Sequence, residues 1–323
     1  MARKVSSLEE QLDRLAELRG QLPSPEGRAQ VAQYLNSKMN LVAAKAARIA
    51  GEWQAAELTP ELVAAFDRFM VKPETTDRRC AAKIEILKAL CNLEYPSPSV
   101  FRRGLRHIQM EPTWGGSVDT AAEVRALGAM GLAQTSDPDA LEEILPLLLD
   151  PERDARIGAL RAVGASGLPG GVLLLRLKAL SGDEPEVLGE CLTALLRAAP
   201  AQSLEFVAKF LDHREEVVAE AAALALGDSR LESAFAVLRD AFERKRALPL
   251  RRRTLLLAIA LLRRENAIDY LVDLVQNGES QTSADAAAAL AMYDKDPSLK
   301  RARAREARPG ALESGDEPLL REF

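Results

Sequence analysis

Asp119-Thr120-Ala121-Ala122-Glu123-Val124-Arg125 and Asp150-Pro151-Glu152-Arg153-Asp154-Ala155-Arg156 are two versions of one phrase, 31 residues apart. Each opens on an acid able to cap a helix and places Arg six positions later. Each then runs into small and apolar residues: Gly128, Ala129, Gly131 and Leu132 in the first, Ala159, Leu160, Ala162, Val163 and Gly164 in the second. A third copy starts at His213, with Val218, Ala222, Ala223, Ala225, Leu226 and Gly227. Looser copies start at Ser37, Asp77, Asp183, Leu248 and Glu279, so successive starts lie 30 to 42 residues apart. That period belongs to arrays of helical hairpins. Each copy has a helix-period run, a break rich in Pro, Gly, Asp or Ser, and a second apolar run. The second runs are Pro60–Met70, Ser99–His107, Ala140–Leu149, Gly171–Leu180, Ser203–Leu211, Ser233–Phe242 and Ile268–Val275. Thr59-Pro60, Ser136-Asp137-Pro138 and Asp150-Pro151 set a capping side chain beside a proline, as a helix start requires.

Composition agrees. The chain has 323 residues, 47% of them hydrophobic but only 4% aromatic, so its core must be built from Ala, Leu and Val. These are the residues of closely packed helices rather than of a sandwich or barrel. A single hairpin cannot bury its apolar face; stacking turns each exposed face into an internal layer. The spacing predicts an all-α fold, a right-handed α-solenoid of about seven to eight hairpins over residues 37–293. Residues 1–36 are expected to form N-terminal capping helices. Leu8, Leu12, Leu15, Leu18 and Leu22 mark one amphipathic helix there, which either caps the first repeat or pairs with a partner. Residues 294–323 hold seven basic and seven acidic residues with few apolar ones, and are expected to be a charged flexible tail. Its end, Leu319-Leu320-Arg321-Glu322-Phe323, has the make-up of a short docking motif.

The Asp119–Arg125 and Asp150–Arg156 phrases, and the softened pair Asp77–Lys83, resemble HEAT repeats in the short bacterial style also called PBS-lyase HEAT-like repeats. The resemblance covers roughly residues 37–292. It implies HEAT-like hairpins in which such Asp and Arg side chains form a structural ladder between adjacent repeats. The copies at Asp183, His213, Leu248 and Glu279 lack the Arg, so the ladder is expected to be incomplete in the C-terminal half. The family consists mostly of scaffolds, and its fold alone does not assign a function.

One connection is longer than the rest. Residues 106–119 carry His107, Glu111 and Trp114-Gly115-Gly116, with one of only two tryptophans. The segment reads either as a partner-binding loop or as a Trp packed into the groove between hairpins. His107 and Glu111 lie four apart, but Pro112 follows at once and no third metal ligand is near. Residues 239–264 hold nine basic and two acidic side chains. Within them, Arg251, Arg252 and Arg253 read either as a docking site for an acidic partner surface or phosphate, or as a solvated collar. The net charge of −5 argues against a nucleic-acid binder.

No phosphate loop and no Gly-x-Ser-x-Gly occurs, and the two histidines, His107 and His213, support no acid–base scheme, so no catalytic residue, metal or cofactor is assigned. Cys80 and Cys91, eleven residues apart, read as lying in one helix, and with Cys191 they form no Cys-x-x-Cys and read as reduced, buried thiols. The first ten residues lack the apolar segment of a signal peptide, and the longest apolar run, Leu255–Leu262, is far short of a membrane span. A cytoplasmic location is expected. The reading is a non-enzymatic scaffold or adaptor that binds a protein partner on the concave surface formed by the second helices. Two alternatives are kept. One is a nucleic-acid-binding protein resembling HEAT-like DNA alkylation-repair glycosylases, suggested by Trp114 followed by Asp119. The other is a lyase or chaperone for a cofactor-bearing protein, since this repeat type also occurs in phycobilin lyases.

Overall fold

The computed structural model describes residues 7–245 and 249–293. The tail expected at 294–323, Arg246 of the basic segment and the first six residues lie outside them. The described chain divides into two compact units, one ending at Ser203 and the other starting at Leu204.

The first unit opens with α1 (Leu8–Arg19), α2 (Pro25–Leu35) and α3 (Asn40–Glu52). Ser7 and Glu10 close a reciprocal capping box: the Glu10 amide donates to Ser7 Oγ (3.2 Å) and the Ser7 amide to Glu10 Oε2 (2.9 Å). Leu15 and Leu18 are buried and Leu22 is exposed. Both α1 and α2 pack on α3. Then follow α4 (Thr59–Phe69), a single turn α5 (Pro73–Thr76), α6 (Ala81–Asn92) and α7 (Pro98–Leu105). Two strands come next, β1 (Met110–Thr113) and β2 (Gly116–Asp119), and then α8 (Ala122–Gln134), α9 (Ala140–Ile144), α10 (Arg153–Ser166), α11 (Gly171–Ser181) and α12 (Pro185–Ala198). The first helices of successive repeats form a row, α3 on α6, α6 on α8, α8 on α10 and α10 on α12. The second helix of each hairpin packs on the first helix of the next repeat, as α4 on α6, α7 on α8 and α11 on α12.

The chain passes through α13 (Pro200–Ala208) into the second unit. That unit holds α14 (Glu216–Asp228), α15 (Glu232–Lys245), α16 (Pro249–Leu261), α17 (Glu265–Asn277) and α18 (Ser280–Leu290). Its row runs α14 on α16 and α16 on α18, with α15 against α16 and α17 against α18. The fold is all-α, of stacked hairpins, in both units.

Side-chain size explains the row. A Cβ built on Gly158 of α10 would lie 2.1 Å from Ala126 Cβ of α8, and one on Gly227 of α14 would lie 2.4 Å from the Ala258 carbonyl oxygen of α16. These helices meet with nothing larger than a methyl group between them. The capping expectations divide. Asp137 accepts the Asp139 amide (3.0 Å) and Asp150 the Glu152 amide (2.8 Å), each holding the turn that leads into a helix. Thr59 instead donates to the Ala56 carbonyl (2.8 Å), because the helix already starts there. Pro146, which has no amide hydrogen, ends α9 early, and Leu145–Leu149 continue as a tighter 3₁₀ turn.

Two details depart from the sequence reading. The long connection is a β-hairpin, paired Met110↔Asp119, Glu111↔Val118, Pro112↔Ser117 and Thr113↔Gly116, with Trp114-Gly115 as its two-residue turn. Gly115 makes that turn possible at φ +97°, a conformation other residues rarely adopt. Cys80 sits just before α6 in the left-handed region rather than inside the helix with Cys91. All three cysteines are free and buried. No helix among the described residues is long and apolar enough to cross a membrane.

Gly158→Ala and Gly227→Ala test the close approach, one in each unit. Helix propensity alone would favour alanine by about 1 kcal/mol. Overpacking against the neighbouring helix costs roughly 1–3 kcal/mol or more. The expected result is a net loss of stability in urea unfolding followed by circular dichroism.

Candidate partner-binding site

The site rests on a ladder of buried charges. Asp77 and Lys83 are both inaccessible to solvent, with Lys83 Nζ 3.1 Å from Asp77 Oδ2. The same carboxylate accepts the amides of Ala82 (2.9 Å) and Lys83 (3.0 Å) and so caps α6. Asp119 does the equivalent for α8, accepting the Ala121 amide (2.9 Å), and its other oxygen takes Arg125 Nη1 (2.6 Å). Arg125 reaches on to the next repeat, with Nε and Nη2 forked on Asp150 at 2.8 and 2.9 Å. Arg156 in turn donates to Asp183 (3.1 Å), which also takes Lys178 (2.6 Å). Asp183 is therefore a rung although its own copy lacks the Arg.

The second unit has a rung that sequence spacing missed. Arg252 donates to Asp285 Oδ2 (2.7 Å) and Arg253 to Oδ1 (3.0 Å). Asp285 stands six residues after Glu279, at the position that holds Arg in the Asp119 and Asp150 copies, so the acid of this rung comes from inside its helix rather than from the helix start. The three arginines proposed to bind a partner are thus drawn inward to different degrees. Arg252 is buried. Arg251 lies near the His213 carbonyl (3.4 Å) and Glu216 (3.8 Å). Arg253 remains 62% exposed while holding Asp285.

His107, Glu111 and Trp114 fare differently from one another. Gln109, which the sequence reading passed over, is fully buried at the root of the hairpin. Its Nε2 donates to the Asp77 carbonyl (2.9 Å) and Glu111 Oε1 (2.7 Å). Its Oε1 accepts from Lys83 Nζ (2.8 Å) and Cys80 Sγ (3.3 Å) and lies 3.1 Å from His107 Nε2. Glu111 also accepts the Arg79 amide (2.6 Å) and the Thr120 hydroxyl (2.9 Å). The Arg125 guanidinium donates to the His107 carbonyl (3.0 Å). His107 and Glu111 therefore anchor the hairpin to two repeats, whereas Trp114 at its tip is fully exposed. Ile108, Met110 and Val118 are exposed nearby in the chain.

Burial governs the electrostatics. It depresses the His107 pKa, against the Gln109 hydrogen bond, and keeps the ring neutral. It works to raise the Glu111 and Asp119 carboxyls, but hydrogen bonds outweigh it: those from Arg79, Gln109 and Thr120 for Glu111, and those from Ala121, Gln109 and Arg125 for Asp119. Both carboxyls lie below their ordinary values. Burial pushes the Cys80 thiol up to about 11, so it is an inert member of the network.

Beside the hairpin root is a cleft of about 600 Å³. Leu105, Ile108, Pro146 and Leu147 give it apolar walls, and Arg106, Arg125, Asp139, Glu142, Glu143 and Asp150 complete its lining. Among the described residues no group of three or more His, Cys, Asp or Glu side chains is placed to hold a metal ion.

Arg125→Ala would leave Asp119 and Asp150, whose side chains are only 10% and 11% exposed, without their cation. The expected loss is about 3–5 kcal/mol in urea unfolding. Acid should weaken the same region. The Asp119 and Glu111 contributions are present above an unfolded pKa of about 4 and are lost as pH falls through the lower folded values. His107 acts earlier, because the unfolded chain takes up its proton below about pH 6.5 while the folded one resists it. Unfolding midpoints measured from pH 7 to pH 3 should therefore fall in two stages, and Asp119→Asn should flatten the second.

Residues 173–260 match the family model for HEAT repeats. No curated protein matches the chain. Among solved structures, human deoxyhypusine hydroxylase in complex with glycerol is 17% identical, over 90% of this chain and 92% of that one, with a TM-score of 0.30. An engineered protein is 18% identical, over 94% of this chain and 90% of its own, with a TM-score of 0.37. Likenesses this distant lend nothing to the reading of fold or function. The repeat match gives residues 173–260 as HEAT repeats, and the stacked hairpins described above have the architecture of such repeats in both units.

Proposed function

We propose that the protein is a non-enzymatic scaffold or adaptor that holds a protein partner, with the Trp114 hairpin of the first unit as its main docking element. One observation carries the reading. A fully exposed tryptophan stands on the tip of a hairpin whose root is anchored by buried hydrogen bonds from Gln109 and Glu111. Tryptophan is prominent among the residues that dominate binding energies at interfaces. A rigid mount lowers the entropy lost when it is covered.

The second helices add apolar surface. Leu173, Leu177 and Leu180 are exposed at i, i+4 and i+7, on one face of α11, and Leu149 is exposed at the end of the preceding hairpin. Such patches suit a protein surface rather than a phosphate backbone. The inward turn of Arg252, and the hold of Asp285 on Arg253, weaken the nucleic-acid alternative. The buried free thiols fit a reducing, cytoplasmic setting.

Trp114→Ala is the test. Affinity purification of wild type and variant from the native host, read by mass spectrometry, should show a partner retained by the first and lost by the second. Re-measured with that partner, the affinity should drop by about 2 kcal/mol or more, roughly 30-fold. The circular dichroism spectrum and melting midpoint should not move. Undiminished partner binding by the variant would overturn the reading.

A further inference from the structure

The cleft at the hairpin root has an unbalanced charge. The ion-pair network around it holds three guanidiniums, and all three are committed. Arg102 bridges Asp137 (2.8 Å) and Glu143 (2.5 Å), Arg106 also holds Glu143 (2.8 Å), and Arg125 holds Asp119 and Asp150. Those four acids are Asp119, Asp137, Glu143 and Asp150. Two further carboxylates, Asp139 and Glu142, line the cleft and have no ion pair among the described residues. Six carboxylates therefore face three cations. Leu105 and Leu147 are buried in its lining, and Ile108 stands exposed, two residues before β1.

We infer that this cleft receives an arginine or lysine side chain from a peptide segment of the partner. The apolar stem would lie on Leu105, Pro146 and Leu147, and the cationic head would be taken by Asp139 and Glu142. The chemistry fits on both counts. Arginine and lysine carry long apolar stems that cover hydrocarbon while the charge stays at the rim. An open cavity of about 600 Å³ is ample for one side chain and the backbone that carries it. Glutamate or phosphate is disfavoured by the residual negative charge, so the site selects for cations. The inference rests on the partner reading above and adds the partner's chemistry. It differs from the sequence-derived expectation of an acidic partner surface, which rested on Arg251–Arg253 of the second unit.

The test uses the full chain, labelled at Ile and Leu methyl groups for NMR. The probes are blocked pentapeptides Ac-Ala-Xaa-Arg-Xaa-Ala-NH2, with Xaa as Leu, Phe or Trp. Matched sets carry citrulline or glutamate in place of arginine. The arginine set should shift the Leu105, Ile108 and Leu147 methyl signals. At least one member should bind fivefold or more tightly than its citrulline twin, a neutral group of nearly the same shape. Binding should weaken between 50 and 500 mM NaCl as the charges are screened. It should fall at least fivefold in the Asp139→Asn, Glu142→Gln double variant, whose substitutions at exposed positions leave the melting midpoint in place.

Three results would overturn the inference: equal binding of arginine and citrulline peptides, shifts confined to other methyl groups, or no shift at millimolar peptide. The two readings also separate in the purification experiment. A partner retained by the double variant but lost by Trp114→Ala would remove the cleft and leave the hairpin. A partner lost by the double variant but retained by Trp114→Ala would remove the hairpin and leave the cleft.

Discussion

A hairpin of two short helices has more apolar surface than it can cover, and everything else in this protein follows from that shortage. The solution, within each unit, is a row of first helices, each in contact with the next. Distance in the row is set by the smallest side chains, as Gly158 against Ala126 and Gly227 against Ala258 show. The benefit is a continuous core with few aromatics. The consequence is that each repeat is stable only through its neighbours, so stability is a property of interfaces between repeats.

Close helix packing brings polar groups into the same seams, where they cannot be left unsatisfied. Asp77, Asp119 and Asp150 hold backbone amides at or just before helix starts. Lys83 and Arg125 neutralise those acids, and Arg125 reaches across to the next repeat. Buried ion pairs of this kind do not necessarily add to stability over a well-packed apolar alternative. Their geometric effect is plain: a guanidinium forked between Asp119 and Asp150 accepts only one alignment of two adjacent repeats. The Trp114 hairpin makes use of that alignment. Its root shares Arg125 through the His107 carbonyl, and its Gln109 joins the Asp77–Lys83 rung. An insertion in a loop thereby acquires the rigidity of the repeats beneath it.

What was legible along the chain depended on distance. Helix periodicity and the Asp–Arg phrases involve residues within a few turns of each other, and both recur every 30 to 42 residues, so they leave a pattern in the sequence. Gln109 left none: it is an ordinary polar residue until folding brings Asp77, Lys83 and Cys80 around it, 26 to 32 positions away. The Arg252–Asp285 rung escaped for a related reason. Its acid lies inside α18 rather than at the start of the copy, and only the packing of α16 on α18 shows that the two groups meet.

By itself the sequence determined that the chain is all-helical, repetitive and built from Ala, Leu and Val, because local periodicity and side-chain volume are written residue by residue. Tertiary structure alone decided which charged groups face water. Arg252 and Arg253 are adjacent in the chain, yet one is buried and the other largely exposed. His107, Glu111 and Trp114 lie within eight residues, yet two vanish into a hydrogen-bonded root and the third stands in solvent. The reason is desolvation. Whether a polar side chain can be buried depends on partners supplied by other repeats, and no local pattern records who those partners will be.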